Sequence, residues 1–290
     1  MSKGRFDELS AHNLDSMNPR ILVRPPSPQL ADGQLTHLAR AKVDAGRARE
    51  QWEQYVEAFR THGWAVTEVE PADEFPDGVF VEDTVVIFDD LAVLTSPGAH
   101  SRVGEVATTE RALTGLAADG IALELARISL PGHLDGGDVL KIDTARRRGR
   151  GSLPSRLSQR TAYVGASSRT DDAGITQLRS LVEPGGWIVV PVPVRRVLHL
   201  KSAVTALPDG TVIGHPANVE PDHRFPEFLP VPEEPGTAVV DLGGGAVLMS
   251  AAAPQTRRLL EARGLEVVPT PIGEFEKLEG CVTCLSVRLR

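Results

Sequence analysis

The chain has 290 residues, 41% of them hydrophobic, a net charge of −8 and only two cysteines. That suits one large domain or two small ones with a sizeable core, while the acidic balance argues against nucleic acid as a partner. No apolar run approaches the roughly 20 residues that cross a bilayer, and two thiols are too few for a disulfide scaffold, so no membrane partner and a reducing cytoplasm are expected.

Residues 1–18 are polar, lack the apolar core of a signal peptide and are expected to fray, leaving 19–290 as a single domain. Ile21-Leu-Val-Arg24 reads as a strand that stops at Pro25-Pro-Ser-Pro28, and Ala39 to Arg60, rich in Ala, Arg and Glu, reads as a helix. His62-Gly-Trp-Ala-Val-Thr-Glu-Val69 then places a glycine where a helix cap would sit, followed by a strand. The same order recurs along the chain. Thr84-Val-Val-Ile-Phe88 and Leu91-Ala-Val-Leu-Thr95 flank an Asp89-Asp90 turn, with a helix over Thr108–Ala118 and a glycine-led strand from Asp119. Val139-Leu-Lys-Ile142 and Thr161-Ala-Tyr-Val164 precede a helix over Asp172–Val182 and a strand from Gly185. Leu198 to Leu207 and Val212-Ile213 read as a hairpin turning at Pro208-Asp-Gly210. Val239-Val-Asp-Leu242 and Ala246-Val-Leu-Met249 flank Gly243-Gly-Gly245, before a helix over Gln255–Ala262 and a strand from Arg263. Finally Leu285-Ser-Val-Arg-Leu-Arg290 alternates apolar and polar, as a strand does.

A unit of strand, strand, helix and strand, repeated about five times, predicts a ring or array. A single open α/β sheet is the alternative. A ring would gather strand ends from every unit around one axis and bring distant polar motifs together. Between two of the strands, Thr144 to Arg160 holds six arginines and no acid. No aromatic residue interleaves them, so a solvated loop is expected rather than a nucleic-acid patch.

Four polar motifs stand beside these elements. Cys281-Val-Thr-Cys284 precedes the last strand. Cys284 is a candidate nucleophile whose partners would come from distant segments. A buried structural pair, a redox pair and a metal site are the alternatives, though no further cysteine or histidine lies at zinc-ligand spacing. Phe80-Val-Glu-Asp-Thr84 and Leu134-Asp-Gly-Gly-Asp138 put acids directly before apolar strands, and the glycines allow close approach of another backbone or a ligand. Gathered carboxylates would hold a cation, and a planar guanidinium suits them. Leu198-His-Leu-Lys-Ser202 sets a histidine in an apparent strand, as a candidate acid/base.

With Ile21–Arg24 and Pro97-Gly-Ala-His-Ser-Arg102, these motifs resemble, in family order, the dimethylarginine dimethylaminohydrolases among the guanidine-modifying enzymes, from about Ile21 to Leu289. The resemblance implies a five-bladed α/β propeller, the pentein, of ββαβ modules around a central channel. It makes Cys284 the nucleophile and His199 the acid/base, and sets Asp83 and Asp135 near the guanidinium. Asp77, Glu82, Arg102 and Arg169 join the substrate-binding groups, with the backbone of Leu30 and Leu278 at the substrate's amino-acid end. The implied substrate is a small molecule, a methylated arginine. No metal or organic cofactor is required, and a homodimer is compatible. Covalent catalysis would split a difficult hydrolysis into two easier steps. Deiminases of free guanidinium resemble the chain here but carry an aspartate two residues after the histidine, where this chain has Lys201; the missing anion favours methylated substrates. An arginine or agmatine deiminase and a non-catalytic ring protein are the rival readings.

Overall fold

A computed structural model describes residues 19–143, 159–220 and 225–290. The N-terminal segment 1–18 and nearly all of the arginine-rich stretch lie outside them.

The described residues form five three-stranded sheets. Strands β1 (Arg20–Val23) and β2 (Ala65–Glu68) flank helix α1 (Ala45–Thr61). Next come β3 (Val85–Phe88), β4 (Leu91–Leu94), α2 (Glu105–Gly115) and β5 (Glu124–Arg127). The third unit holds β6 (Val139–Asp143), β7 (Arg160–Ala166), α3 (Asp172–Val182) and β8 (Trp187–Pro193). The fourth opens with one helical turn, α4 (Leu200–Ala203), before β9 (Val204–Ala206), β10 (Val212–Gly214) and β11 (Phe228–Pro230). The fifth holds β12 (Val239–Gly243), β13 (Ala246–Ser250), α5 (Pro254–Glu261) and β14 (Glu266–Thr270). After α6 (Gly273–Glu276), the last strand β15 (Val287–Leu289) pairs antiparallel with β1, Arg20 opposite Leu289, so the chain's end completes the blade its beginning opened.

In every blade the inner pair is antiparallel and the outer pair parallel. The parallel step needs a crossover. α1, α2, α3 and α5 supply it in four blades; no helix lies between β10 and β11 among the described residues. Each of these four crossovers ends on one of the anticipated glycines, and Gly63, Gly120, Gly186 and Gly264 all have φ between 79° and 86°, a region where a side chain costs about 1–2 kcal/mol. The inner strands β3, β6, β9, β12 and β15 all line one cavity of about 460 Å³. Five blades thus surround one channel, as the repeat predicted, and an open sheet is ruled out.

α1 starts later than expected, at Ala45, because the Asp44 carboxylate accepts the Arg47 N–H at 3.0 Å and caps the helix there. Its Trp52, Tyr55, Val56 and Phe59 recur at helical spacing and are buried. The Tyr55 hydroxyl donates to the Val282 carbonyl at 2.8 Å and meets Ser286 Oγ at 2.7 Å, fastening α1 to the turn that carries Cys284.

The hairpin turning at Pro208-Asp-Gly210 forms, β9 antiparallel to β10, but its first arm is shorter than the expected Leu198–Leu207. Only Val204–Ala206 is strand; His199 stands in extended backbone just before α4. Asp138 causes this: its Oδ1 accepts the Leu200 N–H at 2.9 Å, pinning the start of the helical turn. Cys284 lies in the turn before the final strand, where its N–H donates to the Cys281 carbonyl at 3.1 Å.

Candidate active site

Two short turns at the inner ends of blades deliver the carboxylates. Val81–Thr84 is a 3₁₀ turn, fully buried, that leads into β3. Its carbonyl at Asp83 accepts the Thr95 hydroxyl at 2.7 Å. Gly136–Asp138 is a second such turn, leading into β6. The two pack so closely that a β-carbon on Gly136 would lie 2.0 Å from the Glu82 carbonyl oxygen. One on Gly137 would lie 2.6 Å from Asp83 Oδ1 and 2.7 Å from His199 Nδ1. The close approach anticipated at this Gly-Gly pair is therefore an approach of protein to protein.

His199 sits between carboxylates. Its Nε2 is 3.0 Å from Asp135 Oδ2 and its Nδ1 is 3.9 Å from Asp83 Oδ1. Burial opposes its charge, but Asp83, the bond to Asp135 and the nearby Asp138 outweigh it and raise His199 to about 9. Asp135 is fixed in turn: its Oδ1 accepts the Gly98 N–H at 2.9 Å, and its own N–H donates to Thr170 Oγ1 at 3.1 Å. Asp83 accepts the Gly137 N–H at 2.8 Å and meets Arg102 Nη1 at 2.5 Å. Burial pushes Asp83 toward the neutral acid, yet His199 and Arg102 bring it down to about 2. Asp138 is carried up to about 6 by burial, although Ser167 and Thr170 donate to it.

Cys284 is 6% exposed, and its Sγ accepts the Cys281 N–H at 3.4 Å. The contact with Cys281 and then burial push the Cys284 thiol above its ordinary value, with Glu82 and Asp83 adding to the effect. At rest it is a thiol that a nearby cation would help to ionise.

Cys284, His199, Asp83, Asp77, Arg102, Arg169 and Leu278 line one small cavity. Asp135 stands behind His199. Arg102 is buried, with its guanidinium committed to Asp83 and to Glu105, 2.8 Å from Nη2; it holds the site together. Arg169 is half-buried and donates to Gln34 Oε1 at 3.0 Å. Burial raises Asp77, which accepts the Gln34 N–H at 3.1 Å.

One expected group, Glu82, lies elsewhere. The Glu82 side chain faces the large channel, bonded to Lys201 Nζ at 2.6 Å and Arg288 Nη2 at 2.6 Å. A 3₁₀ turn sends consecutive side chains about 120° apart, so Glu82 and Asp83 face opposite sides of one wall. Lys201 lies with Glu82 on the channel side rather than on the face of His199, because a helical turn replaces the alternating strand. Leu30 is expected to act through its backbone, and its side chain is wholly buried in the core.

The sequence reading missed the strap formed by residues 33–38. Gln34 lies between Asp77 and Arg169 and its side-chain amide reaches Ser101. Glu279, at φ 61°, accepts the N–H groups of Thr36, His37 and Leu38. The cavity beneath holds only about 20 Å³, room for little beyond one water, so a substrate must displace the strap. Asp83, Asp135 and His199 present ligand atoms within 4.8 Å of one another, as a metal site would. Their charges are already compensated by the imidazolium proton and Arg102.

No protein-family model matches the chain. It is 55% identical over 271 residues to the N(G),N(G)-dimethylarginine dimethylaminohydrolase of Streptomyces coelicolor, covering 93% of this chain and 97% of that one. It is 30% identical over 274 residues to the Pseudomonas aeruginosa enzyme of the same name, covering 94% and 100%. A cysteine-to-serine variant of the Pseudomonas aeruginosa protein, solved with citrulline, superposes with a TM-score of 0.80 at 29% identity, over 94% of this chain and all of that one. The N-terminal domain of a cyanobacterial arginine dihydrolase shares the fold, with a TM-score of 0.77 at 20% identity, over 94% of this chain and 98% of that one.

Proposed function

Since the chain belongs to the dimethylarginine dimethylaminohydrolase family, we infer that it hydrolyses Nω-methylated arginines to citrulline and a methylamine, with Cys284 as nucleophile. The observation that carries this is the clamped imidazolium: His199, held between Asp83 and Asp135, lines the same cavity as Cys284. The substrate's guanidinium lies against Asp83, whose low pKa keeps it anionic. The cation favours the Cys284 thiolate, which attacks the guanidinium carbon. His199, protonated at neutral pH, gives its proton to the departing amine and leaves an S-alkylthiouronium on Cys284. Water then attacks that carbon, His199 takes the proton back, and citrulline leaves as the thiolate re-forms. Arg169, now bonded to Gln34, exchanges that partner for the substrate's α-carboxylate, and Asp77 receives the α-ammonium. Glu82 acts indirectly, through the wall, and the Leu30 backbone stands at the substrate's amino-acid end. The substrate is a free small molecule; neither nucleic acid nor a membrane takes part, and among the described residues no helix is long and apolar enough to cross one. A homodimer is compatible with this chemistry.

Methylated arginines are preferred because no carboxylate faces the second terminal nitrogen from position 201, whose side chain points into the channel. Arginine leaves that nitrogen poorly bonded, at about 1–3 kcal/mol, or roughly 5- to 150-fold in kcat/KM. Citrulline release from dimethylarginine, monomethylarginine and arginine, compared side by side, tests this. Equal values, or a preference for arginine, would reject it in favour of a deiminase.

A further inference from the structure

Hydrolysis as set out above uses one thiol, yet the turn before β15 carries two. Cys281 Sγ lies 3.3 Å from Cys284 Sγ and 3.3 Å from Thr283 Oγ1. Both thiols are free. The turn itself is closed by the Cys284 N–H on the Cys281 carbonyl, which sets the two side chains on one side of the backbone. A disulfide needs sulfurs about 2.0 Å apart, and side-chain rotation covers most of that distance here. Cys281 is partly exposed, and Cys284, though buried, lines the small cavity, so a peroxide small enough to enter that cavity reaches the pair. The contact between the thiols also favours one thiolate, bringing Cys281 down to about 7 against burial. The Cys281 backbone N–H donates to the nucleophile's sulfur; its side chain has no step in hydrolysis.

We propose that Cys281 is a resolving thiol that closes a reversible disulfide with Cys284 when the site meets a peroxide, switching hydrolysis off while sparing the nucleophile from irreversible oxidation. One thiolate of the pair attacks a peroxide oxygen, breaking the O–O bond. With hydrogen peroxide the product is a sulfenic acid and hydroxide. The second thiol attacks the sulfenic sulfur; the S–O bond breaks, an S–S bond forms, and water leaves with the thiol's proton. Two thiols are oxidised and one peroxide is reduced to two waters. Whichever sulfur reacts first, the other closes the bond. Without the neighbour, a sulfenic acid proceeds to sulfinic and sulfonic acids, which thiols do not reverse. A dithiol reopens the disulfide by exchange through the more accessible sulfur.

The loss of hydrolysis rests on Cys284 being the nucleophile; the closing of the disulfide does not. The test treats the full-length protein with hydrogen peroxide and follows three quantities: intact mass, titratable thiols and citrulline release, before and after dithiothreitol. In the wild type both thiols vanish together, the mass falls by two hydrogens, hydrolysis stops, and dithiothreitol restores it. Cys281→Ser keeps the backbone N–H; measured against the variant's own untreated rate, peroxide adds oxygens to Cys284 and dithiothreitol fails to restore hydrolysis. Oxygen adducts on wild-type Cys284 with loss of hydrolysis would overturn the switch alone. A disulfide with hydrolysis unimpaired would overturn the nucleophile assignment and the switch with it.

Discussion

Replacing Asp135 with asparagine isolates what holds the proton on His199. The carboxylate accepts from Nε2 at 3.0 Å and from the Gly98 N–H at 2.9 Å. In Asp135→Asn the amide oxygen keeps the Gly98 bond, so the turn before β6 is retained. The amide nitrogen then faces Nε2 as a donor against a donor, which disfavours the imidazolium. A hydrogen bond to a charged group is worth about 1.5–3 kcal/mol, and one pKa unit is about 1.36 kcal/mol. His199 should therefore fall from about 9 to about 7–8. Because the departing amine needs the protonated form, the alkaline limb of kcat/KM moves down with it. At pH 9 the variant loses about 5- to 25-fold beyond any change seen at neutral pH, as the protonated fractions require. Citrulline release from dimethylarginine between pH 6 and 10 gives both limbs. An alkaline limb that stays where the wild type's lies would refute the assignment of that proton to His199.

Gly137→Ala puts a methyl 2.7 Å from His199 Nδ1 and should cost at least the 10²-fold that general acid–base catalysis supplies, while a urea melt still shows a cooperative fold; a fully active Gly137→Ala would contradict the packing at the imidazole. Glu279→Ala frees the three N–H groups of the strap; because a substrate must displace the strap, losing about 1–2 kcal/mol of closure should lower KM by about 5- to 30-fold with a smaller change in kcat, and an unchanged KM would show the strap to be held by other contacts. Stability should depend on pH in both directions. His199, raised to about 9 from its ordinary 6.5, contributes on the order of 3 kcal/mol that is complete below about pH 6.5 and lost as pH rises through 9. Asp83, lowered to about 2, contributes stability present above about pH 3.8 and lost as pH falls through 2. The two are halves of one interaction and do not add. Urea midpoints from pH 3 to 10 check this, and a flat profile between pH 7 and 10 would contradict the clamped imidazolium.

Much of the fold was legible because its signals are local. The four capping glycines and the paired apolar runs mark blade after blade, and the terminal strands near Ile21 and Leu289 were left over for each other. The catalytic candidates stood out as polar residues beside apolar strands. What was not legible depends on contacts between distant segments. The alternation Leu198-His-Leu-Lys201 reads as strand until Asp138, 62 residues upstream of Leu200, accepts its N–H and starts a helical turn. Glu82 and Asp83 look equivalent in sequence, and only the 3₁₀ turn sends one to the channel and the other to the site. Gln34 carries no local mark at all, since its partners Asp77, Ser101 and Arg169 come from three other segments. Glu105 had a signal, three residues after Arg102 on the same face.

The central claim is that Cys284 bonds to the substrate carbon during turnover. Acid-quenching the wild type within one turnover of dimethylarginine, then measuring the mass of the peptide that contains Cys284, tests it most directly. The account predicts an adduct equal to the substrate less dimethylamine on that peptide, absent in Cys284→Ser, which releases no citrulline yet melts like the wild type. Citrulline release from Cys284→Ser at the original rate, with no adduct on the wild-type peptide, would contradict it.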